Sequence, residues 1–119
     1  MKVPESTKSS LSLRLSRHAR ERWPELGQVE VKFRANFAYV SAKDEDGTDV
    51  ALCRLRYGGS ASEWGFAIYL ASHDGYEDSA LPSGRLAGSP EEALDCACGL
   101  YLSQPGAWLG SLRGQLRRQ

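Results

Sequence analysis

No apolar run in this chain exceeds a few residues. A membrane-crossing helix needs roughly 20, so a helical membrane protein is excluded. The first 22 residues also lack a continuous apolar stretch, and no secretion signal is expected there. Cysteine is scarce: Cys53, Cys96 and Cys98 are the only three among 119 residues. That count excludes a disulfide scaffold, and an odd number without a secretion signal predicts reduced thiols in a cytoplasmic protein. Cys96 and Cys98 stand two apart, so on a helix they point about 200° away from each other. With His18 and His73 they show no paired ligand spacing. No metal site and no cofactor are expected, and the cysteines read as small buried side chains.

Catalytic signatures are missing as well. Gly58-Gly59-Ser60 lacks the Lys-Ser/Thr pair and the helix that a phosphate loop requires. Neither a Gly-x-Ser-x-Gly elbow nor a His-Glu-x-x-His helix occurs. The one dense polar cluster is His73-Asp74-Gly75-Tyr76-Glu77-Asp78. A histidine beside carboxylates can act as a base or hold a metal. The cluster reads better as a solvated turn after a strand, because sequence neighbours need not converge. No catalytic residue is assigned, and an enzyme is not favoured.

What is present suits an ordinary globular domain, with 41% apolar and 25% charged residues. At 13.1 kDa the chain is expected to form a single domain over residues 1–119, with residues 1–8 disordered and 105–119 a tail. Fifteen basic and fifteen acidic side chains cancel overall but not locally. Residues 1–34 carry a net of +4, residues 35–104 a net of −7, and residues 105–119 a net of +3. Basic ends around an acidic middle either fold back onto that middle or meet an anionic partner.

The first helix is expected from Ser9 or Ser10, with Leu11, Leu15, Ala19 and Trp23 on one stripe and Pro24 at its end. Four strands follow. Val29, Val31 and Phe33 alternate with Glu30, Lys32 and Arg34 in the first. Asn36–Lys43 is the second, Val50–Tyr57 the third and Glu63–Ala71 the fourth. Tight turns near Ala35-Asn36 and at Asp44-Glu45-Asp46-Gly47, and a break at Gly58-Gly59-Ser60, make the strands antiparallel neighbours. A loop over 78–88 leads to the second helix. Ser89 is its N-cap, Pro90 its first residue and Glu92 the partner in a capping box, with Ala93, Ala97, Leu100 and Tyr101 as the apolar face. The fold class is therefore α+β: a helix, a four-stranded antiparallel meander, a helix and a short C-terminal tail, in a two-layer sandwich.

The order helix, antiparallel strands, helix resembles a double-stranded-RNA-binding domain. That family grips phosphate with lysines at the start of its second helix. The matching positions here are Ser89-Pro90-Glu91-Glu92, whose carboxylates repel phosphate, so the resemblance implies topology without that docking mode. The stretch Trp64–Leu102, with Gly88-Ser89-Pro90-Glu91-Glu92-Ala93-Leu94 at its helix start, resembles part of the HicB-type antitoxins. That similarity implies a sheet-and-helix module that binds another protein. Cys53-Arg54-Leu55-Arg56-Tyr57, Trp64-Gly65-Phe66-Ala67-Ile68-Tyr69 and the span from Tyr76 to Ala97 resemble small uncharacterised proteins of high-GC actinobacteria, and eleven Arg against four Lys fits such a genome. That group has no established activity, so the resemblance implies no chemistry.

Both faces of the predicted sheet are fairly apolar, which points to a protein partner, or a second copy, covering one of them. Tyr39, Tyr57, Tyr69, Trp108 and Leu109 are the expected partner surface. The leading expectation is a non-catalytic cytoplasmic protein-binding or regulatory module. The alternative is weak nucleic-acid binding, with Arg14, Arg17, Arg20, Arg34, Arg117 and Arg118 as phosphate contacts and Arg22 and Lys32 beside them. A third expectation is a small-molecule pocket near Tyr57, Trp64, His73 and Glu77.

Overall fold

A computed structural model describes residues 2–44 and 46–103 of the chain, with side chains up to residue 100. It shows an α+β fold: α1 (Glu5–Arg22), then β1 (Val29–Arg34), β2 (Phe37–Lys43), β3 (Asp49–Ser60), β4 (Glu63–Leu70), β5 (Gly75–Asp78) and β6 (Ala87–Gly88), then α2 (Pro90–Ser103). Strands β1 to β5 pair in chain order, all antiparallel, and β6 adds to the outer edge of β4 beside β5. The expected tail over 105–119, with Trp108, Leu109, Arg117 and Arg118, lies outside the described residues.

Three expectations need correction. The helix starts at Glu5, not Ser9 or Ser10, and Val3 ahead of it is buried against the core. Its first polar turn is held by Lys8 N–H donating to Pro4 O, and proline's fixed φ suits a helix entrance. The sheet has more than four strands, because residues 75–78 pair with β4 through Tyr69–Tyr76 and Ala67–Asp78 instead of forming a loop. The turn itself is only Ala71–Asp74, with Asp74 at φ 49°. Finally, Gly58 and Gly59 do not end β3, which runs on to Ser60 and pairs with Glu63 after an irregularity in register.

The expected links are in place. Ala35 turns β1 into β2 with φ 55°. Asp44 Oδ1 accepts from the N–H groups of Asp46 (2.9 Å) and Thr48 (3.0 Å), while Gly47 takes φ 80°, a conformation that glycine adopts without a Cβ clash. Register fixes which residues share a face. Val31–Val40–Cys53–Ile68 and Phe33–Ala38–Leu55–Phe66 run across the sheet as two rows facing the helices. A β-bulge between Val40 and Ser41 inserts Leu52, which is fully buried next to Cys53.

Onto this face pack Leu11, Leu15 and Ala19 of α1 and Ala93, Leu94, Ala97 and Cys98 of α2. Leu100 was expected there but is 40% exposed; Leu94 and Cys98 take the inward positions instead. The capping box of α2 forms as expected: Glu92 N–H donates to Ser89 Oγ at 3.2 Å and Ser89 N–H to Glu92 Oε1 at 3.0 Å. Gly88 just before it is closely packed: a Cβ there would sit 2.5 Å from Glu92 Oε1 and 2.7 Å from Leu81 Cδ1, so the ends of those two side chains would have to move.

Polar pairs join the two helices across 77 positions of sequence. Arg14 forks onto Glu91 with bonds of 2.8 and 2.7 Å. One turn on, Asp95 Oδ1 meets His18 Nε2 at 2.8 Å and accepts from Trp23 Nε1–H at 2.9 Å. The Arg14 guanidinium holds the Glu91 carboxyl below the usual carboxylate range.

Candidate functional site

Strand alternation sends every second residue to the side away from the helices. Register collects Lys32 and Arg34 of β1, Phe37 and Tyr39 of β2, Arg54 and Arg56 of β3, Gly65, Ala67 and Tyr69 of β4, and Tyr76 and Asp78 of β5 on that open face. The aromatic residues form one array. Tyr39 and Tyr76 stand edge to face at 5.4 Å, Tyr69 and Tyr76 likewise at 5.4 Å, and Phe37 lies 6.3 Å from Tyr39. The Arg54 guanidinium sits inside the array, 4.5 Å above the Phe37 ring and 5.7 Å from Tyr76.

Small residues on β4 make this arrangement possible. Gly65 and Ala67 leave a shallow hollow of about 120 Å³ whose walls are Phe37, Arg54, Arg56, Leu86 and Asp78. Arg54 is drawn to Asp78 at 3.7 Å. Arg56 lies over Gly65, is exposed, and forms no ion pair or hydrogen bond among the described residues; the same holds for Lys32 and Arg34. Elsewhere on the face Lys43 pairs with Asp49 at 2.7 Å and Arg85 with Glu63 at 2.7 Å at the end of β4, and Glu30 of β1 adds a carboxylate opposite Ser41, at the Lys43 end and away from the rings. Cations therefore predominate around the rings.

The expected partner surface divides between the two sides of the sheet. Tyr39 is half-buried within the open array. Tyr57 faces the helices and packs on Trp64 at 5.4 Å. Tyr69 belongs to the open side, but it is only 7% exposed beneath Tyr76, and its hydroxyl donates to Asp74 at 2.7 Å. Burial and that bond push the Tyr69 phenol up to about 12, so it stays a neutral donor.

The expected phosphate contacts also separate. Arg14 is committed to Glu91, which removes it from any anion site. Arg17 and Arg20 are exposed on α1, on the helix side, whereas Arg34 is exposed on the open face. The small-molecule pocket is not assembled: Tyr57 and Trp64 meet at the start of β4, while Glu77 pairs opposite Ile68, about 13 Å further along, and His73 follows the far end of the strand, about 20 Å away at strand spacing. Among the described residues no three His, Cys, Asp or Glu side chains converge as metal ligands. Burial pushes the Cys53 thiol up and the Cys98 thiol up to about 12, which disfavours the reactive thiolate.

Sequence reasoning missed Phe37, Arg54, Arg56 and Tyr76 as members of one surface. The signal was Arg54 and Arg56 standing two apart in an otherwise apolar strand, a placement that only an exposed face tolerates. Among the described residues no helix is long and apolar enough to cross a membrane. Neither protein-family models, nor curated proteins, nor solved structures give a match to this chain.

Proposed function

We propose that this protein is a non-catalytic binding module whose working surface is the open face of the sheet. One observation carries the reading: an array of half-buried rings encloses Arg54 and is bordered by Lys32, Arg34 and Arg56, three exposed cations without a partner among the described residues. Tyrosine and arginine are the residues that dominate binding hot spots, because each offers a large flat contact area with a polar end. The helix side offers less. Its wider concavity of about 630 Å³, between the end of α1 and β1, has Arg20 as its only charged lining residue among those described.

The same cations oppose a second copy on this face. A two-fold interface sets like patches together, here cation against cation. The expected state by light scattering is therefore monomeric. To test the reading, the purified chain is compared with a face variant, Tyr39→Ala/Arg56→Glu, and a helix-side variant, Arg17→Glu/Arg20→Glu, for material retained from lysate with and without nuclease. Loss of the retained material from the face variant alone is expected. Equal retention by both variants would sink the reading.

A further inference from the structure

We infer that the open sheet face binds single-stranded nucleic acid, with bases stacked among Phe37, Tyr39 and Tyr76 and phosphates met by Lys32, Arg34 and Arg56. This deepens the proposed function and rests on it. Rings 5.4 to 6.3 Å apart with a guanidinium among them form a platform on which any base can stack, since every base has a π face. Exposed cations beside such rings supply what a polyanion needs.

The hollow over Gly65 and Ala67 separates this ligand from an acidic protein segment. Its walls combine the Phe37 ring, Arg54 and Arg56 with the Asp78 carboxylate. A carboxylate side chain entering it would have to compete with Asp78 for Arg54, which Asp78 already approaches at 3.7 Å, and would leave the Asp78 carboxylate without a donor of its own. A nucleobase presents amino groups that donate to Asp78, and acceptors for Arg56. Duplex is disfavoured, because its stacked bases hide the faces that the rings would hold. Phosphate binding at the start of α2 is also disfavoured, because Glu91 and Glu92 stand there.

The test uses the full chain and fluorescence anisotropy at about 50 mM salt, where phosphate-driven binding is strong. The probes are a fluorescein-labelled mixed-sequence 12-nucleotide single strand, the same sequence as duplex, and labelled poly-glutamate. The single strand is expected to bind best. Tyr39→Ala should weaken it about tenfold, as loss of one stacked base does. Arg34→Glu/Arg56→Glu should abolish binding, and Arg17→Glu/Arg20→Glu should leave it unchanged. Three phosphate contacts predict a slope of log affinity against log salt of about −2, and each contact removed lowers its size by about 0.7. Circular dichroism melts confirm that each variant is folded. Stronger binding of poly-glutamate, lost in Arg34→Glu/Arg56→Glu, would overturn the nucleic-acid inference and keep the binding face. Single-strand binding lost only in Arg17→Glu/Arg20→Glu, or no binding by any probe, would overturn the inference and count against the face as well.

Discussion

The two faces of this sheet are made by the same strands and solve opposite problems. Toward the helices, β4 is thick with Trp64, Phe66 and Ile68 where β2 is thin with Ala38, Val40 and Ala42. On the other side the bulk reverses: β2 carries Phe37 and Tyr39, and β4 carries Gly65 and Ala67. Alternation makes this exchange automatic, because a residue added to one face is absent from the other. The covered face fills its thin region with two helices. The open face fills its own with Arg54 and Arg56. Charges differ in the same way. Between the helices Arg14 and Glu91 satisfy each other, whereas Arg56 has no such partner among the described residues.

The sharpest way to break this comparison is to remove one ring from each side. Phe66→Ala is expected to destabilise the fold by about 3–5 kcal/mol, because the cavity is closed on all sides. Tyr39→Ala should lose about 0.5–1.5 kcal/mol, the value of an aromatic contact on a half-open surface. Urea melts measure both, and equal losses would mean that the open face is part of the core.

Next comes the helix staple. Glu91→Gln should lose about 1.5–3 kcal/mol, since the bonds it weakens are charge-assisted and half-buried. Its carboxyl is held below its ordinary value by Arg14. Stability from that pair is therefore full above the ordinary carboxylate range and disappears as pH falls through the lowered value. An acid titration of the unfolding free energy should be flatter for Glu91→Gln, and unchanged steepness would disprove the assignment.

Gly88→Ala should destabilise by about 1–3 kcal/mol through crowding against Leu81 and Glu92. Ser89→Ala, at the same helix start, should lose about 1 kcal/mol with the cap. Thermal melts that rank these two in reverse would locate the constraint in the capping bond and not in the close approach. Smallest of all, Arg56→Ala is expected within about 0.5 kcal/mol of the parent, as for surface positions without a partner. A loss above about 1 kcal/mol would make Arg56 structural and remove it from the binding surface.

Local chemistry made part of this legible. The box of Ser89 and Glu92, the Asp44–Gly47 turn and the Leu11, Leu15, Ala19 stripe depend on residues within a turn or two of one another, and each was visible in the sequence. Long-range pairing was not visible. Arg14 resembles a phosphate ligand until Glu91 arrives from 77 positions away. Tyr39 and Tyr57 look equivalent until register sends one outward and the other onto Trp64. The strand Gly75–Asp78 was hidden by its own composition, since glycine beside three polar-tipped residues signals a turn, and only the edge of β4 makes it a strand. The extra residue at Leu52 left no mark, because a bulge depends on the partner strand and not on its own sequence.

The outer edge of β4 has a consequence for how the protein behaves at high concentration. Its backbone is shared between β5 and β6, and in the gap between them Phe66 N–H donates to Leu86 O while Phe66 O accepts from Ser79 N–H. No carbonyl in that stretch is left to recruit a foreign strand. The edge exposed at β5 is four residues long, too short to seed much pairing. At the other side β1 alternates Glu30, Lys32 and Arg34 along its length, and charges at an edge discourage intermolecular sheet growth. Excising residues 79–88 would uncover the β4 edge, and light scattering over hours should then report aggregation that the intact chain resists.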